Sequence, residues 1–136
     1  MSKQEIATEL HEKNYNCAQA VVCVFADEVK LPKEILFKAA EGFGGGAGTG
    51  DGICGALTGA IMINGLKNSS ANLKNPDSKA ATMKISRQLV TTFNQRVGSI
   101  ICREIKGAND QKKVLCSCPD CIRNGVRLIE EFVINE

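Results

Sequence analysis

Six of the nine residues from Gly42 to Gly50 are glycine. Each glycine costs a helix roughly 1 kcal/mol against alanine, so the run predicts a loop. Outside it, every apolar pattern that persists has helical period, and none alternates as a strand would. The fold class expected is therefore all-α. The 136 residues fit one domain on the usual prior of roughly 100–200 residues per domain. We expect a single-domain bundle of about six or seven helices over residues 1–136, with the glycine loop placed before a central helix rich in small residues.

The elements follow from caps and breakers. Ser2 and Glu5 predict a capping box for a first helix ending near Lys13. A second helix carries Cys17, Ala20, Val21, Val24 and Phe25 on one face and stops at Leu31 and Pro32. Pro32 suits the first turn of a third helix running through Glu41. The fourth, Gly52 to Leu66, holds Gly55, Ala56, Gly59 and Ala60; such small side chains let a neighbouring backbone come close, which places it centrally. Asn68 to Asn75 is polar and is expected to be the least ordered segment. Asn75 and Pro76 open a long helix with a stripe of Met83, Leu89, Val90, Phe93 and Val97, closed by Gly98. Ser99 starts a short helix to Ile105, and a charged loop runs from Lys106 to Lys113. The last helix runs from Pro119 to about Val133, with Cys121, Gly125, Leu128, Ile129 and Phe132 on one face.

Composition narrows the function classes. Hydrophobic residues at 43% and charged residues at 24% describe a globular chain. Seventeen basic and fifteen acidic residues give a net charge of +2, too weak a field to argue for nucleic acid. Aromatics at 4%, with no Trp, supply no stacking platform for single strands. The longest apolar stretch, Ile53 to Ile63, is interrupted by Gly and Thr and falls short of the roughly 20 residues a bilayer span needs. The opening residues Met1 to Glu5 run into charge without a signal-peptide pattern, so a cytoplasmic location is expected. Thiols stay reduced there. Seven Cys with one His then point to metal, cluster or redox chemistry, and the single His excludes a two-Cys, two-His zinc finger.

Four of the seven cysteines share a local setting. Three residues before Cys17, Cys54, Cys102 and Cys121 stand Asn14, Asp51, Ser99 and Cys118. Three of these are strong helix N-caps, and Cys118 precedes Pro119, which fits the first helical position. Each of the four cysteines would then occupy the third helical position, among unpaired amides and a partial positive charge that lower a thiol's pKa. Four such helix starts meeting at one point would stabilise several thiolates or an anionic cluster. Cys23 does not fit and reads as a packed core thiol. Cys116 and Cys118 lack the second knuckle of a four-Cys zinc site and lack the strand before a thioredoxin-type pair, so they read as auxiliary thiols. Gly42 to Ala47 matches GxGxxA, but without the flanking strands it predicts a tight backbone wrap rather than a nucleotide site. His11 reads as a surface helix residue. Arg103 and Arg123 read either as charge balance for a cluster or as solvated surface.

These segments resemble the C-GCAxxG-C-C redox-active family. The resemblance rests on Asn16 to Val21, the Gly42 to Gly50 run, Cys54 to Gly59, Gly98–Ser99 before Cys102–Arg103–Glu104, and Cys121 before a final amphipathic helix. Ile53 stands where the family signature implies Gly. The four cysteines of the family name fall on Cys17, Cys54, Cys102 and Cys121, the set that the cap offset selects. The resemblance implies an iron–sulfur cluster held by those four thiolates, [2Fe–2S] or [4Fe–4S]. The chain is also similar to the cluster domain of split-Soret cytochromes, but it has no CxxCH for covalent haem. The family pattern brings no assigned reaction, and the lone His stands near no Cys in sequence, so no nucleophile–base pair is discernible.

Three functions stay open at this stage: an electron-transfer protein with one iron–sulfur cluster and a redox partner protein, a metal-free thiol–disulfide protein using the same cysteines, and a non-catalytic module with structural zinc. The long helix carries Met83 and Ile85 beyond a single stripe, so a homodimer is expected. Light scattering at high concentration should report twice the chain mass, and a monomer would refute that expectation.

Overall fold

The computed structural model describes residues 1–134. The fold is all-α, and among the described residues the only β-pairing is an isolated bridge between Ile53 and Ile101. Helix α1 (Lys3–Glu12) begins on the expected capping box. The Glu5 amide donates to Ser2 Oγ at 3.1 Å and the Ser2 amide to Glu5 Oε1 at 3.4 Å. A second capping box, between Asn16 and Gln19, opens α2 (Cys17–Cys23). This helix is shorter than expected. It breaks after Cys23, and a single turn, α3 (Ala26–Val29), follows before Lys30 turns left-handed at φ 58°. α4 (Lys33–Glu41) starts after Pro32, as its fixed φ favours.

The glycine run is a loop. It winds once at Gly44–Ala47, but Gly45 and Gly46 both take φ 64°, so we do not count that turn as an α-helix. α5 (Gly55–Asn68) follows. The polar segment after it is held by side chains: the Ser70 amide donates to Ser78 Oγ at 3.0 Å, and the Asn75 amide to Asn72 Oδ1 at 3.0 Å. α6 (Lys79–Val97) starts three residues later than Pro76 suggests, with Ser78 before it, and Gly98 closes it at φ 105°. α7 (Cys102–Ile105) is one turn. α8 (Cys118–Leu128) continues into a π-helical turn over Ile129–Val133. Among the described residues eight α-helices stand where six or seven were expected, in part because the second splits.

α5 is central, as its small residues imply. It packs against α2, α6 and α8. A Cβ at Gly59 would meet Val21 Cβ at 3.1 Å and the Ala18 carbonyl at 3.2 Å. A Cβ on Gly125 of α8 would meet the Ala56 carbonyl oxygen at 2.7 Å. Leu57, Ile63, Leu89, Phe93, Ile122 and Leu128 fill the core around this helix. Asn64 is fully buried yet satisfied, its amide donating to the Thr82 carbonyl at 2.9 Å and to Ser86 Oγ at 3.0 Å, which fixes α6 against α5. The expected α6 stripe holds at Leu89, Phe93 and Val97, but Met83 is 55% exposed. It lies a turn above the buried end of the helix, beside the open Ser69–Ser78 loop.

The Gly125 contact generates a prediction. Alanine is the better helix former by about 1 kcal/mol, but here its methyl group overlaps main chain that cannot rotate away. Gly125→Ala should destabilise the protein by about 1–3 kcal/mol, read as a lower urea midpoint. An unchanged midpoint would show that α5 and α8 are not in this close register.

Candidate functional site: a cavity lined by six thiols

Two backbone hydrogen bonds bring the first pair of cysteines together. The Cys54 amide donates to the Ile100 carbonyl at 2.8 Å, and the Cys102 amide to the Gly52 carbonyl at 3.0 Å. They flank the antiparallel Ile53–Ile101 bridge, where the two segments run past each other in opposite directions, one on into α5 and the other into α7. The glycine loop backs onto this pair. The Gly52 amide donates to the Gly46 carbonyl at 3.0 Å, and a Cβ at Gly46 would lie 2.6 Å from Cys102 Cβ. On the other side, a Cβ at Gly55 would lie 3.3 Å from Cys17 Cβ, so α2 and α5 touch where their first cysteines sit.

Cys17, Cys54, Cys102 and Cys121 all reach one cavity, and Cys116 and Cys118 line it with them. Its wall is completed by Gly45, Gly55, Ile105 and Lys106. The cavity is small, about 20 Å³, roughly one water's worth of space, because the sulfurs occupy it. Cys54, Cys102 and Cys121 are buried, whereas Cys17, Cys116 and Cys118 are half-buried. Cys23 lies elsewhere in the core, its sulfur 4.0 Å from the Lys33 carbonyl, a packed thiol as expected.

The helix starts are real, but the expected caps are not the caps. Asn14 has φ 76°, and Asn16 caps α2, making Cys17 the first helical residue. Cys54 itself occupies the cap position of α5, and Asp51 instead pairs with Arg103 at 2.9 Å. Ile101 precedes α7, while the Ser99 hydroxyl accepts from the Ile101 amide and donates to Glu104. Ser117 caps α8, so Cys118 is its first residue and Cys121 its fourth. The offset of three therefore marks the approach to three of the helices, and the first residue of the fourth. The Asn16–Gln19 box and the Ile53–Ile101 bridge set the true starts.

The thiols also differ electrostatically, where a shared lowering was expected. Only Cys54 is lowered, to about 7: a hydrogen bond with Cys121 and the amides of Ala56 and Leu57 outweigh burial. Cys121 is pushed far up, because its hydrogen is shared with Cys54 and it is buried. Cys17 is pushed up to about 12 by burial and by the neighbouring Cys118 and Cys54 sulfurs. Burial also raises Cys102 and Cys116. At Cys54 the Cys121 hydrogen bond, joined by two amides, wins; at Cys121 the same hydrogen bond acts with burial in the other direction, and at Cys17, Cys102 and Cys116 desolvation leads.

Lys106 is the cation of the site, and the sequence reading missed it. It stands four residues after Cys102, on the same face of that turn, which was the available signal. The Cys118 and Cys102 sulfurs hold its ammonium above the ordinary lysine range. Arg103 and Arg123 make exposed ion pairs, with Asp51 and Asp120, outside the lining of the thiol cavity. His11 meets the Tyr15 carbonyl at 3.0 Å, away from the cavity. Among the described residues no three Cys, His, Asp or Glu side chains stand in the arrangement a single metal ion takes.

An all-helical fold with one convergent cysteine site is the class these observations define. The sequence pattern of the family described as putative redox-active protein (C_GCAxxG_C_C) matches residues 15–132, and the chain belongs to that family. No curated protein and no solved structure matches it.

The glycine contacts give a paired prediction. Gly46→Ala carries a methyl group into Cys102 as well as a left-handed φ, whereas Gly48→Ala at φ 78° meets nothing within 4 Å. The second should cost only the left-handed strain, about 1–2 kcal/mol. The first should lower the melting temperature clearly further, and equal losses would contradict the contact.

Proposed function

We propose that the protein is an electron carrier that holds one iron–sulfur cluster through Cys17, Cys54, Cys102 and Cys121. The observation carrying this reading is the convergence of six thiols, from segments far apart in the chain, on one cavity. The donor set fits: sulfur lines the cavity with no imidazole or carboxylate among the described residues, and thiolates are the ligands such clusters take. Bound there, a cluster would supply one-electron chemistry, exchanged with a redox partner protein. The chain's own residues supply the setting. The Ala56 and Leu57 amides meet the Cys54 sulfur, burial of Cys54, Cys102 and Cys121 keeps water out, and Lys106 offsets negative charge. Among the described residues no helix is long and apolar enough to cross a membrane, and reduced cysteines suit the cytoplasm.

The sulfur contacts favour one second reading. Cys54 and Cys121 share a hydrogen, so they could pass between dithiol and disulfide, giving two electrons and two protons to an external disulfide. Structural zinc has less support. A structural zinc site of four cysteines usually pairs two short knuckles, whereas Cys17, Cys54 and Cys102 each stand alone in the chain.

Anaerobic purification with iron, zinc and acid-labile sulfide analysis tests these readings together. Iron and sulfide in comparable amounts are expected. Cys54→Ser, or Ser at Cys17, Cys102 or Cys121, should remove most of both, and Cys23→Ser should leave them intact. Zinc without sulfide would contradict the proposal, and a metal-free protein with a Cys54–Cys121 disulfide would favour the second reading.

A further inference from the structure

Six thiols line the cavity, two more than a four-thiolate cluster uses. We propose that the remaining two, Cys116 and Cys118, form a working dithiol at the cavity rim that reduces a disulfide of low molecular weight. The inference rests on the assignment of the other four thiols to the cluster.

Three observations carry it. First, both sulfurs are half-buried, while three of the four proposed ligands are buried, so this pair stands on the solvent side of the site. Half-buried sulfurs admit a small disulfide more readily than a flat protein surface. Second, Ser117 between them is extended, at φ −72° and ψ 158°. One extended residue between them sets their Cα atoms about 6.6 Å apart. That falls within the roughly 7 Å limit for a disulfide. Third, Lys106 lines the same cavity and places a cation by the pair.

The chemistry balances without the cluster. The Cys118 sulfur attacks one sulfur of the substrate disulfide. A mixed disulfide forms, and the first substrate thiol leaves with the proton from Cys118. The Cys116 sulfur then attacks the Cys118 sulfur, and the second substrate thiol leaves with the proton from Cys116. The substrate gains two electrons and two protons, the Cys116–Cys118 pair becomes a disulfide, and an external dithiol returns it to thiols.

The test uses glutathione disulfide on the anaerobically purified full chain, with mass mapping of the cysteines and iron measured in the same samples. The expected result is a Cys116–Cys118 bond, two glutathione thiols released per chain and iron content unchanged. Cys116→Ser should stop at glutathione attached to Cys118, and Cys118→Ser should stop the bond from forming. Iron retained with no bond between these two residues would overturn the inference, as would glutathione captured on Cys17 or Cys23. If the purified chain holds no iron, the cluster reading fails by itself. The dithiol is then scored on the same map: a Cys116–Cys118 bond supports it, and a Cys17–Cys118 bond overturns it.

Discussion

The site depends on one small piece of backbone pairing. The bonds from Cys54 to Ile100 and from Cys102 to Gly52 fix two distant segments side by side immediately before each turns into a helix. The glycine loop is stacked on the same place: Gly46 accepts from Gly52, and Gly52 accepts from Cys102. A Cβ at Gly52 would meet the Gly46 carbonyl oxygen at 2.7 Å, and one at Gly46 would meet Cys102. Main chain is layered on main chain, and side chains cannot fit between the layers. The helices α2 and α8 then bring the remaining thiols against that layer through contacts with α5 that are themselves made of glycine and alanine.

Burial and backbone amides act on the sulfurs of the cavity unequally. Burial holds a thiol protonated, whereas amides at a helix start favour the thiolate. At Cys54 the amides of Ala56 and Leu57, together with the Cys121 hydrogen, prevail. At Cys17 and Cys102 they do not. The protein thus sets one thiol lowered to about 7 beside Cys17, Cys102, Cys116 and Cys121, all shifted upwards, with Lys106 as the nearby cation. That uneven arrangement is what keeps several thiols in contact without mutual repulsion.

Much of this was legible in the sequence, and the misses have physical causes. Helical period located the elements, and the small residues of α5 announced its central place. Glycine density marked the loop, and the cysteine pattern picked out four of the cavity's thiols as ligands and Cys116 and Cys118 as auxiliary to them. The cap offset does not name the caps: Asn16, Cys54 and Ile101 stand closer to their helices than Asn14, Asp51 and Ser99, whereas Cys118 already lies inside the helix that Ser117 caps. A single bridge such as Ile53–Ile101 leaves no periodic trace. The break after Cys23 has no glycine or proline to announce it. Cys116, Cys118 and Lys106 share the cavity only through the return of the chain after α7, where the Leu115 amide bonds the Ile105 carbonyl at 2.8 Å. That long-range closure is carried by no local motif.

The most direct test of the account is iron K-edge X-ray absorption on anaerobically purified protein. A first shell of sulfur alone, with iron–iron scattering behind it, is the predicted result. A first shell of nitrogen or oxygen, or no iron edge at all, would contradict it.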